Sequence, residues 1–143
     1  MKARLHQKPV ITVSRGILKY KKIVYLLVSK RPIRYPRGSS RIAYIGTTTK
    51  GIQRVASSAA YRASDILSGY GLSTMEIYVI TCPPKRNVKT WLLLERALLA
   101  QFVVWFIKPP KCNSQGKHFK WTPKMEQHFS KRGIDNILSQ FDN

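Results

Sequence analysis

The stretch WLLLERALLAQFVVWF, Trp91 to Phe106, constrains the fold of this chain more than any other. Its apolar residues run almost unbroken for about four helical turns, so most of its surface has to be kept from water. A membrane span is excluded by Glu95, Arg96 and Gln101 and by the shortness of the run. The remaining solution is a helix running from about Thr90, as N-cap, to Ile107, buried in a protein core and stopped by the Lys-Pro-Pro that follows. Within that helix Trp91, Leu98, Leu99 and Phe102 fall on the same side as Glu95, at i−4, i+3, i+4 and i+7. A carboxylate on an apolar side is costly unless it is paired, hydrogen-bonded or bound to a metal. Arg96 is adjacent in sequence and therefore does not face it on a helix. Glu95 requires a cation from elsewhere, either a buried arginine or a divalent metal.

The scarcity of acid makes the position more pointed. The 143 residues hold 26 Lys and Arg against six Asp and Glu, a formal charge of +20. Such a charge calls for a polyanionic partner, most simply nucleic acid, bound in a salt-dependent way. An acidic protein and an anionic membrane surface are the competing partners. The two cysteines, Cys82 and Cys112, form no C-x-x-C pair and have no spaced histidines, so no structural zinc site is expected. The N-terminal residues lack an apolar stretch long enough for a signal peptide. These features lead to the expectation of a cytoplasmic protein with free thiols and no membrane association.

Length and pattern predict one α+β domain with a small, mostly antiparallel three-stranded sheet flanked by helices. Residues 1–20 read as a basic extension in which PVITV could form a short strand, residues 21–117 as the core, and residues 118–143 as a helical extension packed on it. KKIVYLLVSK and RIAYIGTTT have the β-branched and aromatic content of strands and are expected to pair as a hairpin. RPIRYPRGSS between them is a loop by composition. A helix follows over 50–67, with Ile52, Val55, Ala59, Ala63 and Ile66 at helical spacing and Arg54, Ser58, Tyr61 and Asp65 on another face. MEIYVITCPP supplies a third strand. Thr122 and Pro123 mark a helix start, and a last helix is expected near 134–141.

These residues resemble the GIY-YIG nuclease family. The second half-motif is intact at Tyr44-Ile45-Gly46, and the first survives as Ile23-Val24-Tyr25, with the tyrosine but without the glycine. Arg54 stands ten residues after Tyr44, at the family's spacing for its catalytic arginine. Glu95 matches the metal-binding glutamate of a later helix, and Asn113 matches the asparagine that follows it in many members. The likeness covers roughly residues 23–117. It departs from the pattern in the longer segment between the tyrosines, and in Ser58, where many members carry histidine or tyrosine. Tyr61, one turn on, is the candidate for that supporting role.

The resemblance implies hydrolysis of DNA phosphodiester bonds with one Mg²⁺ held by Glu95, Mn²⁺ being able to substitute. Magnesium prefers oxygen ligands and keeps several waters, so a single carboxylate suffices to anchor it. Arg54 would offer a planar, bidentate donor to the phosphate. Tyr44 would act as base or orient the water with Tyr25 as its hydrogen-bonding partner, and which tyrosine takes the proton is left open. Lys50 would favour the phenolate by its charge. Arg31, Arg34, Arg37 and Arg41 on one side, and Lys111, Lys117, His118 and Lys120 on the other, would contact DNA phosphates, with nearby aromatics available for stacking on unpaired bases. The expected partner is double-stranded or branched DNA, engaged by a monomer or a homodimer, in restriction or in repair. A basic nucleic-acid-binding protein without catalysis is the competing reading, and a buried Glu95–arginine ion pair is its counterpart at the site.

Overall fold

The computed structural model describes residues 14–115 and 117–142, together with the single positions 4 and 12. PVITV therefore falls largely outside the described residues. Three strands, β1 (Ile23–Arg34), β2 (Ser39–Thr48) and β3 (Met75–Ile80), form an antiparallel sheet in the order β2-β1-β3. Among the described residues five helices accompany them: α1 (Arg15–Leu18), α2 (Ile52–Gly69), α3 (Thr90–Phe106), α4 (Pro123–Glu126) and α5 (Lys131–Leu138), the last followed by a 3-10 turn at Ser139–Phe141. The α+β architecture is the one the residue patterns predict.

β1 is the central strand, and Ile23 to Val28 are all buried, so both faces of the sheet are covered there. This explains why its apolar residues run continuously and do not alternate. α3 supplies the largest block of the core, with Leu93, Leu94, Ala97, Leu98, Leu99, Phe102 and Phe106 buried. Each such leucine or phenylalanine contributes roughly 1.5–3 kcal/mol by leaving water. Met125, Ile134, Leu138 and Phe141 join the same core from the C-terminal helices. Among the described residues no helix is long and apolar enough to cross a membrane.

Two local expectations change. The segment expected as a loop over 31–40 is mostly strand, because β1 continues to Arg34 and β2 begins at Ser39. Pairing passes from Val28↔Ile42 to Ile33↔Ser40, leaving a bulge of β1 residues without β2 partners. The Ser29 hydroxyl donates to the carbonyls of Arg31 and Arg41 across this bulge. Pro32 sits inside it, where no ladder N–H is needed. The turn closes with Tyr35 N–H to Gly38 O at 3.0 Å, Gly38 having φ +78°. The Tyr35 ring folds back against Phe102 and Phe106, and its hydroxyl donates to Ile42 O at 2.7 Å. Thr90 is the first residue of α3 and not its cap; its hydroxyl donates to Pro83 O, 3.3 Å away. Thr122 does cap α4, accepting from Met125 N–H ahead of Pro123.

Candidate active site

Strand register brings the two tyrosines together. Tyr25 pairs with Gly46 across β1 and β2, and Tyr44 lies two residues from Gly46, so all three share one face. The rings stand 5.8 Å apart between centroids at an interplanar angle of 47°. Gly46 is what permits this approach. A Cβ there would lie 2.5 Å from Tyr44 Cε1 and 2.9 Å from both Tyr25 Cζ and the Tyr44 hydroxyl oxygen. Those separations are below any real carbon contact, so the glycine of the half-motif is required by the rings above it.

α2 lies against this face. Tyr25, almost wholly buried, donates its hydroxyl hydrogen to Ser58 Oγ at 2.9 Å. Four residues further along α2, the Arg62 guanidinium lies over the Tyr44 ring, its carbon 3.9 Å from the centroid. Four helical residues advance about 6 Å, close to the spacing of the rings, so consecutive turns of one helix serve the two tyrosines in turn. Arg62 Nη1 also donates to Cys112 O at 2.9 Å, and among the described residues its buried Nε–H has no partner.

The segment after α3 docks on the outer edge of β2. Cys112 N–H donates to Ala43 O at 2.9 Å. The Asn113 side chain then takes both hydrogen-bonding groups of Ile45, accepting from its N–H at 2.9 Å and donating to its carbonyl at 2.7 Å. Asn113 thus stands in for a neighbouring strand at the centre of Tyr44-Ile45-Gly46. Gln115 Nε2 donates to the carbonyls of Pro110 and Asn113, at 3.0 Å each, and closes the loop on itself.

Between this loop, α3 and the approach to α4 opens a cavity of about 870 Å³. Its walls carry Tyr44, Arg62, Glu95, Asn113, Lys117 and His118, joined by Arg96, Lys120 and Lys124. Among the described residues Glu95 is its single carboxylate, facing five Lys and Arg side chains. The carboxylate is half-buried, and burial raises its pKa above the ordinary value, with the charges of Arg96 and Lys117 acting in the opposite direction. Among the described residues it forms no ion pair within 4.0 Å, which removes the buried Glu95–arginine pair. The Tyr44 phenol is likewise held above its usual value by burial first and then by Tyr25; Arg62 lowers it, and the Glu95 charge adds to the rise. Among the described residues no three His, Cys, Asp or Glu side chains gather. An ion on Glu95 would therefore complete its shell from water and substrate oxygens, which suits magnesium and not zinc. A smaller hollow of about 410 Å³ at residues 126–131 has no comparable convergence of charge.

The residues expected from sequence divide into two groups. Tyr25, Tyr44, Glu95, Asn113, Lys117, His118 and Lys120 converge on the cavity or support its wall. Arg54, Lys50 and Tyr61 are exposed and do not line it, Tyr61 being 80% exposed. The hairpin arginines are also elsewhere. Arg37 donates to Val104 O near the far end of α3, Arg41 to Gln140 O, and Arg31 and Arg34 are exposed on the extended part of β1. Lys111 sits over the Tyr35 ring, 5.6 Å from its centroid, and Tyr35 itself is buried and has no face free for a base. Arg62 and the role of Ser58 escaped the sequence reading. Extending the series 54, 58 by one further turn reaches 62, whereas the i+7 step leads to Tyr61 on the solvent side.

Comparison of the chain with protein-family models, with curated proteins and with solved structures returns no match. The geometry of the site carries the functional reading.

Proposed function

We propose that this chain is a metal-dependent endonuclease of the GIY-YIG kind, hydrolysing DNA phosphodiester bonds in the cavity between β2, α3 and the 108–120 segment. The observation that carries this reading is the constellation around Gly46. Two tyrosines packed over a glycine stand beside a lone, unpaired carboxylate in a ring of cations.

Each residue has a chemical task in this reading. Glu95 would hold a Mg²⁺, whose contribution when bound is to polarise a phosphate oxygen and neutralise developing charge. Tyr44 would receive the proton of the attacking water or aim that water, and Tyr25, fixed by Ser58, would hold the Tyr44 ring in place. Burial keeps the Tyr44 phenol protonated near neutral pH, so its base form becomes more abundant as pH rises. An arginine of α2 would offset the phosphate charge, and Lys117, His118 and Lys120 would draw the nucleic-acid backbone to the cavity.

One observation favours a second reading, a basic nucleic-acid-binding protein without catalysis: Arg54, at the spacing expected for the catalytic arginine, is exposed away from the cavity. Both readings are tested by incubating supercoiled plasmid, linear duplex, single strand and branched junction with Mg²⁺, with Mn²⁺ and with chelator, using wild type and Glu95→Gln. Metal-dependent cutting that Glu95→Gln abolishes supports the nuclease, and the preferred substrate separates restriction from repair. Salt-dependent binding of every substrate with no cleavage of any sinks it in favour of the binder.

A further inference from the structure

Arg62 is held in an expensive position. Its guanidinium is half-buried, covers the Tyr44 ring, and satisfies the Cys112 carbonyl through one nitrogen, yet among the described residues the buried Nε–H has no acceptor. Cations are seldom placed so unless something anionic completes them. Glu95 is the obvious candidate because it lines the same cavity, but the two do not pair within 4.0 Å. The cavity thus contains an under-satisfied cation and an unpaired anion, and Tyr44 feels the charge of both. An oxyanion bound beside a divalent ion would answer both at once, the oxyanion toward Arg62 and the ion toward Glu95. Arg54 cannot supply this. It lies two helical turns earlier on α2, roughly 12 Å along the axis, exposed and off the cavity wall.

We propose that Arg62 is the phosphate-binding arginine of this cavity, the role that the family resemblance implies for Arg54. The inference rests on the nuclease reading for its catalytic meaning, though phosphate binding by Arg62 is testable without it. Guanidinium suits the task because its planar donors match phosphate oxygens and its charge persists at every relevant pH. Stacking on Tyr44 fixes the fork and sets its distance from the tyrosine at the same time.

The test follows the Nε–H resonances of Arg62 and Arg54 by nitrogen-proton NMR while inorganic phosphate, and then the dinucleotide pdTpdT, is titrated into the intact chain without metal. The Arg62 signal should move and saturate, and the Arg54 signal should stay. Arg62→Lys should weaken the binding of either probe about tenfold, and Arg54→Ala should leave it unchanged. The amide signal of Ile45, bonded to Asn113, reports whether the Arg62→Lys variant keeps its fold. In the cleavage assay Arg62→Lys should lower kcat at least a hundredfold, while Arg54→Ala stays within threefold of wild type. Saturation of Arg54 with Arg62 unmoved, or unaltered phosphate binding by a folded Arg62→Lys protein, overturns the proposal. A wild type that cuts no DNA while its Arg62 signal titrates defeats the nuclease reading alone and leaves the phosphate site standing.

Discussion

The Tyr25 hydroxyl donates to Ser58 Oγ at 2.9 Å, joining the central strand of the sheet to the first long helix beneath the candidate site. Because Tyr25 is only 3% exposed, water cannot replace the serine. Ser58→Ala should therefore cost about 1 kcal/mol, or roughly 3 °C in Tm, measurable by thermal denaturation. Cleavage should fall about tenfold in kcat with KM little changed, since the ring that loosens holds Tyr44 and not the substrate. An unaltered kcat would remove Tyr25 from the site.

Gly46→Ala isolates steric cost from backbone cost, because Gly46 does not occupy the left-handed region. The added methyl meets two rings at under 3.0 Å, and they must separate. A stability loss of about 1–3 kcal/mol is expected from the overpacking. Cleavage should fall about a hundredfold or more, the usual scale for an ångström of misplacement. Circular dichroism and cleavage rates on the same preparation check both.

Glu95→Gln should abolish metal-dependent cleavage and at the same time stabilise the protein near neutral pH. Burial raises the folded-state pKa of Glu95 above its unfolded value. The native state then binds the proton more tightly, so ionisation of Glu95 costs stability as pH climbs through that window. The glutamine variant should melt higher than wild type at pH 7.5, and the gap should close once pH falls below the ordinary carboxylate pKa. Millimolar Mg²⁺ should raise the Tm of wild type but not of Glu95→Gln. Equal metal responses would show that the ion sits elsewhere.

Asn113→Asp removes the donor that meets the Ile45 carbonyl and sets a carboxylate oxygen against it. A loss of about 2 kcal/mol, near 7 °C in Tm, is expected. Amide exchange at Ile45 should accelerate ahead of that at Leu26, which is fully buried on the central strand. Uniform acceleration would mean that the asparagine has no local hold on β2.

Much of the fold is legible because its signals are local. The apolar run of α3, the β-branched content of β1 and the Thr122-Pro123 start of α4 each follow from a few neighbouring residues. The extended hairpin is not, since Pro32, Pro36 and Gly38 speak for a loop, and contacts distant in sequence, among them the docking of Tyr35 on Phe102 and Phe106, override them. At the site, Tyr25, Tyr44, Glu95 and Asn113 stand out by residue type and order. Arg62 is invisible for a different reason. Among so many arginines nothing marks the one that lies over Tyr44, and its importance comes from a ring 18 positions away in sequence.

The loop that reaches β2 also governs how the molecule behaves toward its own copies. Cys112 and Asn113 cap Ala43 and Ile45 on one margin of the sheet, while β3, with Glu76, Ile77 and Tyr78 exposed, forms the other. A sheet with one open margin can acquire one neighbour and then stops. With two it can be extended indefinitely, strand upon strand, toward fibres. A chain whose 108–115 segment is cut or loosened should therefore lose more than a shaped cavity, passing from a self-limiting molecule to one that polymerises.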